Sequence, residues 1–228
     1  MIADKKRFSM GFIMMILFAI VLVIFFMPVF NGKNGLAYLD NLYNSISKGS
    51  AYYIPDVQEE TMAFSGRTMD VSLTMEDEKQ ARQTAILLKA GHAEILVKSA
   101  ELMVQGDLGA ILANCLSDAD TMYHNKGDEI SGKYGYDERQ VLYNWWTALK
   151  EMDRDLKKQK FFKEADFILH VKKKAVEMAY NYYKIEAQKI SDRMGVVIFS
   201  LIFYVIYTLW YGFAFLFMFE GWGMRLEH

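Results

Sequence analysis

Apolar and polar positions are segregated along this chain. Two runs, residues 10–30 and 195–219, contain no charged side chain and lie toward opposite ends. Between them the pattern changes to the short periods of folded helices and strands. A helix rises about 1.5 Å per residue, so about 20 apolar residues cross a hydrocarbon core of about 30 Å. Both runs meet that length and predict transmembrane helices. The first is longer than the apolar core of a secretory signal, and no small-x-small site precedes Asn31, so a retained helix is expected.

The intervening positions predict a mixed domain. Leu36, Leu39, Tyr43 and Ile46 recur at helical spacing over 35–47, an amphipathic helix that either rests on the lipid surface or packs under the outer domain. Ile54-Pro55-Asp56 reads as an extended or turn segment, because proline disfavours helix in the residue before it. Residues 67–75 alternate, with Met69, Val71 and Leu73 on one side, and predict a strand. Thr74 then caps a helix over 76–90, and Gly91 stops it. Residues 92–105 are bracketed by Gly91 and Gly106 and alternate about a turn near 98–101, which favours a β-hairpin over a continuation of the helix. Asp107 caps the next helix, whose core face is Leu108, Ile111, Leu112, Cys115 and Leu116.

Residues 124–136, rich in Gly, Asn, Lys and Asp, read as a loop. Asp137 caps a helix to about residue 158 with the stripe Val141, Trp145, Leu149, Met152 and Leu156. A second long helix begins at 161 and runs to about 190. If unbroken, it carries on into the 195–219 helix as one rod. The predicted fold class is α+β: two transmembrane helices flank an extracytoplasmic domain with a small sheet (β-α-β-β-α), and a long helical pair continues into the second transmembrane helix.

The domain boundaries follow. Residues 1–9 form a cytoplasmic N-terminus, 10–30 and 195–219 span, 31–194 form the extracytoplasmic domain, and 220–225 form a short cytoplasmic tail. Residues 226–228 look like a tag remnant. Orientation rests on Lys5, Lys6 and Arg7 abutting the first span, with Lys33 the nearest basic residue beyond it. The expected location is a cell membrane, crossed twice, with both termini cytoplasmic and the main domain periplasmic.

Composition narrows the function. A formal net charge of −2 leaves no basic surplus for nucleic acid. A single cysteine, Cys115, excludes an intrachain disulfide and a cysteine-cluster zinc site. It sits on an apolar helix face, where cysteine is an inert small hydrophobe. No nucleophile elbow, phosphate loop or dinucleotide fingerprint is present, so no enzyme and no cofactor are expected. Asp120/His124 and Asp166/His170 are the low-prior metal candidates, since i,i+4 pairs share a helix face. Three or four ligands would be needed, and the expectation is no metal. Tyr143, Trp145, Trp146, Tyr180, Tyr182 and Tyr183 would cluster if the two late helices pair antiparallel, and could line a ligand pocket or serve as core and interface anchors.

The most informative pattern lies in the second span. Ser200, Tyr204, Tyr207, Thr208 and Tyr211 fall at i, i+4, i+7, i+8 and i+11, one hydroxyl-bearing face. Residues 11–30 hold no hydroxyl to answer it. In lipid a hydroxyl seeks a partner at helix interfaces, so a second copy or another subunit is expected there. The expected function is a non-enzymatic integral membrane protein whose outer domain binds a partner or stabilises a membrane complex. The alternatives are a ligand-binding sensor or receptor subunit signalling through a partner, and a homo-oligomeric channel. The expected partners are the lipid bilayer and a homo-oligomer or heteromeric membrane complex. Two-helix threading is shared with many bacterial sensors, but 220–225 is too short for an output domain.

Overall fold

The computed structural model describes residues 2–224, so part of the tail at 220–225 and the whole of 226–228 lie outside the described residues. The fold is mostly helical α+β with one three-stranded antiparallel sheet and two long apolar helices, one toward each end, packed together. The chain divides into two compact units. One holds the residues up to Gly49 together with those from Glu186 onward, and the other is Ser50–Ile185.

The first unit is built on α1 (Lys5–Phe26) and α10 (Ile190–Gly221), both long and apolar enough to cross a bilayer. Asp4 caps α1 by accepting from the Lys6 and Arg7 N–H groups at 3.0 and 3.1 Å. α1 ends at Phe26 because Met27, held extended at ψ 150°, precedes Pro28. The helices pair antiparallel. Arg7 bonds Glu220 at 2.6 Å at one end, Trp210 Nε1 donates to the Met14 carbonyl at 3.1 Å midway, and Phe25 stacks on Phe203 further along. Close approach depends on Gly11. A Cβ there would lie 2.7 Å from both the Ala214 carbonyl oxygen and the Met218 nitrogen. α2 (Gly35–Ser50) joins this unit. Gly35 packs on the Phe25 ring, Tyr38 stacks on Phe30, and Tyr43 reaches Ser200 of α10.

The Ser50–Ile185 unit has one apolar core. Its sheet is β1 (Thr68–Thr74), β2 (Glu94–Lys98) and β3 (Glu101–Asp107) in the order β1-β3-β2. The register pairs Val71 with Val104 and Leu96 with Met103. The hairpin expected over 92–105 is present. Its turn is Ser99-Ala100, with Ser99 at φ 55°, as a type II′ turn requires at its first central position. Met69, Val71, Leu73, Leu102 and Val104 on one sheet face are buried beneath α4 (Glu78–Ala90), α5 (Leu108–Tyr123) and α7 (Glu138–Lys158). The expected stripes of α5 and α7 are all buried. Asp107 caps α5 through the Ala110 N–H and Asp137 caps α7 through the Gln140 N–H.

Four local expectations are corrected. Ile54–Thr61 is a helix, α3, with Pro55 in its first turn, where a missing N–H costs nothing. α4 is capped by Asp77 rather than Thr74, since the strand keeps Thr74 and the Asp77 carboxylate takes the Gln80 N–H at 2.7 Å. The loop expected over 124–136 contains α6 (Gly127–Tyr134). Asp128 and Glu129 favour its N-terminus, Ile130 and Tyr134 bury one face, and Gly135 ends it at φ 76°.

The last correction concerns the rod. α8 (Phe162–Val171), a π turn at Lys172–Val176 and α9 (Glu177–Tyr182) form one helical run. The run stops at Tyr182, and residues 183–189 are non-helical before α10 begins. Nothing in this stretch breaks a helix by propensity. A tertiary contact does: the Asn125 side chain accepts from the Lys184 N–H at 2.8 Å and donates to the Ile185 carbonyl at 3.1 Å. Lys184 is thereby held at φ 65°. α10 runs through Gly195 without interruption.

Candidate functional site

The hydroxyl-bearing face of α10 divides into two sets. Ser200 is buried; its hydroxyl donates to the Val197 carbonyl at 2.8 Å and lies 2.6 Å from the Tyr43 hydroxyl of α2. Tyr207 turns onto α1. Its ring stacks on Phe18 with centroids 4.2 Å apart, and its hydroxyl donates weakly to the Phe18 carbonyl at 3.4 Å. Tyr211 packs on Phe18 and Phe215. α1 therefore answers Tyr207 with an aromatic ring and a backbone carbonyl, an arrangement that a search for matching hydroxyls does not find.

Thr208 and Tyr204 are different. Thr208 is exposed and satisfies its hydroxyl on the Tyr204 carbonyl at 2.7 Å. Tyr204 is 68% exposed, and among the described residues no hydrogen bond reaches its hydroxyl. Beside it run Leu201, Val205 and Leu209, all more than half exposed. An apolar groove of about 320 Å³ lies elsewhere on this unit, lined by Val21, Phe25, Phe30, Tyr38, Val196 and Phe199 among others.

The six aromatics of the folded unit do not form a single cluster. Trp145 is fully buried and donates its indole N–H to Asp118 at 2.8 Å. Tyr182 turns toward Tyr123 on α5. Tyr183 bonds Glu138 at 2.9 Å, and Arg139 lies over both Tyr183 and Tyr180. Burial raises the Tyr183 phenol to about 12, with the Glu138 hydrogen bond adding to it. Tyr143 and Trp146 do stack, at 6.1 Å. The Lys172 and Lys150 ammonium groups lie 4.8 and 5.4 Å from the Trp146 ring centre, and Glu177 accepts its N–H at 2.8 Å. Charged side chains of the chain itself thus surround that ring.

Of the two aspartate–histidine pairs, only Asp120/His124 is in contact among the ion pairs of the described residues. His124 Nδ1 is 3.3 Å from Asp120, whose carboxylate also takes the Tyr52 hydroxyl at 2.6 Å. His170 lies 3.7 Å from Glu60. Among the described residues no group of three or more His, Cys, Asp or Glu side chains could hold a metal ion. Burial raises the Cys115 thiol well above its ordinary value, which keeps it protonated and unreactive.

One polar centre escaped the sequence reading. Asp118 is 1% exposed in the core. Its Oδ2 accepts from the Tyr134 hydroxyl at 2.6 Å and the Trp145 indole at 2.8 Å, and its Oδ1 from Lys133 at 2.7 Å. Asn114 donates to Tyr134 and accepts from Lys133, which closes the network. A signal existed: Asp118 continues the i, i+4, i+7 stripe of Ile111 and Cys115, so a carboxylate falls on a core-facing position. With all three donors supplied from within, it is a fully satisfied centre that joins α5, α6 and α7. Comparison of the chain with protein-family models, with curated proteins and with solved structures found no match.

Proposed function

We propose that this is a non-enzymatic integral membrane protein whose folded unit lies on the extracytoplasmic, periplasmic side, where it binds a partner or stabilises a membrane complex, while α10 associates laterally. The observation that carries the reading is Tyr204, a hydroxyl turned away from its own chain on a helix of transmembrane length. In hydrocarbon such a group gains from a partner helix, and none is supplied internally. Antiparallel pairing of α1 and α10 supports a common side for both termini, and Lys5, Lys6 and Arg7 support the cytoplasm as that side. On this reading the Ser50–Ile185 unit is extracytoplasmic.

The other readings have less support. A sensor pocket built on Trp146 would first have to displace Lys172 and Glu177. A channel lined by the hydroxyl stripe would have to draw on tyrosines that already pack against Phe18. Labelling with a membrane-impermeant thiol reagent tests the topology. Met62, 73% exposed, is replaced by cysteine in one variant and Lys5 in another. Met62→Cys is expected to label in intact cells with a permeable outer envelope, and Lys5→Cys only after lysis. The reverse pattern would overturn the orientation.

A further inference from the structure

The two edges of the sheet are not equivalent. In an antiparallel sheet alternate residues of an edge strand turn their N–H and C=O groups outward. On β1 these groups are covered: the Ser72 N–H donates to Asp155 at 3.1 Å and the Asp70 carbonyl accepts from Gln159 at 2.7 Å. On β2 the corresponding residues are Ile95 and Val97. Among the described residues nothing bonds their outward groups, and the elements packed against β2 are β3 and α4. The side chains around this edge are also incompletely covered. Ile95 and Val97 are only partly buried on the core face. On the opposite face Leu96 is 52% exposed beside Met103 at 47%. Proteins blunt free edges with short strands and terminal charges, and Glu94 and Lys98 would serve that purpose against most strands.

Against one strand they do the opposite. The sequence Glu94-Ile95-Leu96-Val97-Lys98 is self-complementary when two copies run antiparallel about Leu96. Glu94 then faces Lys98 of the second copy, Ile95 faces Val97, and Leu96 faces Leu96. The register also places Ile95 opposite Val97 as a hydrogen-bonded pair, joining the outward peptide groups left open in the single chain. Glu94, Leu96 and Lys98 share one sheet face, so both charge pairs and the central leucines lie side by side, with Met103 of each copy flanking them. We propose that the β2 edge is a homotypic docking strand, which joins two copies of this chain into one continuous sheet across a two-fold axis at Leu96.

Pairing over so short an edge buries less than the roughly 1,200–2,000 Å² of a stable soluble interface. The contact is therefore weak between free molecules and is favoured when two copies share one membrane and a high effective concentration. The proposal stands on the Ser50–Ile185 unit alone and is separate from the lateral contact of α10.

The test uses the full chain in its membrane. The two Leu96 positions form a non-hydrogen-bonded pair with Cα atoms about 4.5 Å apart, within disulfide range. The native Cys115 is fully buried and does not compete. Leu96→Cys is expected to give, on mild oxidation, a disulfide-linked species of twice the chain mass. Ile86→Cys, on the exposed face of α4, is the collision control and is expected to give little. Added to Leu96→Cys, either Glu94→Lys or Lys98→Glu sets like charges face to face and is expected to lower the yield roughly tenfold. The two reversals together are expected to restore it. No dimer, a yield no higher than the Ile86→Cys control, or a yield indifferent to the charge reversals would overturn the proposal. A cross-linked species of any other mass would overturn self-pairing in favour of a foreign strand at this edge.

Discussion

Replacing Asp118 with alanine strikes the one buried carboxylate that ties three helices together. The substitution removes the acceptor for both the Trp145 indole N–H and the Tyr134 hydroxyl, each in a buried residue. A buried donor left unpaired costs about 1–3 kcal/mol. Tyr134 keeps the hydrogen bond it accepts from Asn114, so its loss lies toward the lower end. Lys133 is 39% exposed and still reaches Asn114, so it rehydrates at little cost. The sum is about 2–4 kcal/mol, a large share of the 5–15 kcal/mol that holds a typical domain. Asp118→Asn keeps one oxygen for the Tyr134 and Trp145 donors, which limits the cost to about 1–2 kcal/mol, while its NH2 displaces the half-exposed Lys133 ammonium toward solvent. Equilibrium urea unfolding of the detergent-solubilised chain, followed by tryptophan fluorescence, reads both values. A loss below 1 kcal/mol for Asp118→Ala, or equal losses for the two variants, would refute the reasoning.

Three further outcomes are expected. Gly11→Leu forces α1 away from the Ala214 and Met218 backbone and is expected to cost about 1–3 kcal/mol, seen as a lower thermal midpoint in detergent with the spectrum of the folded unit unchanged. Tyr204→Phe is expected to weaken lateral association in lipid, whereas Tyr207→Phe, which loses only a 3.4 Å bond to its own chain, is expected to leave the oligomer mass unchanged. Burial raises Tyr52, Tyr123, Tyr136 and Tyr183 from 10.0 to about 12. These phenols ionise more readily in the unfolded chain than in the folded one. Their contribution is therefore full below pH 10 and falls away between pH 10 and 12, which denaturant midpoints measured across that window will show.

What the sequence disclosed depended on whether a local pattern had a local cause. The two long apolar helices are continuous apolar runs, and the hairpin and the stripes of α5 and α7 are periodicities of apolar burial; both kinds of pattern are written in the chain. Asp107 and Asp137 were legible because a cap bonds its own helix. The end of the long helix at Tyr182 was not. Its cause is Asn125, far away in sequence, acting on a stretch whose own propensity is helical. α6 was obscured by a polar composition that hides its two buried residues, Ile130 and Tyr134. The hydroxyl stripe was legible as a pattern but not as a set of contacts: Ser200 is met by Tyr43, which lies outside the first apolar run, and Tyr207 by the Phe18 ring and carbonyl, which carry no polar side-chain signature. The aromatics near Tyr143 and Tyr180 are adjacent in sequence, yet consecutive residues of a helix point about 100° apart, so Trp145 enters the core while Trp146 meets lysine.

The central claim is that this chain works in a membrane assembly together with a different subunit. The measurement that bears on it most directly is the native mass of the protein gently extracted from its own membrane, with every co-purifying chain identified. The account predicts a complex of defined mass that contains an unrelated subunit in fixed stoichiometry. Recovery of this chain alone, at any mass, would contradict it.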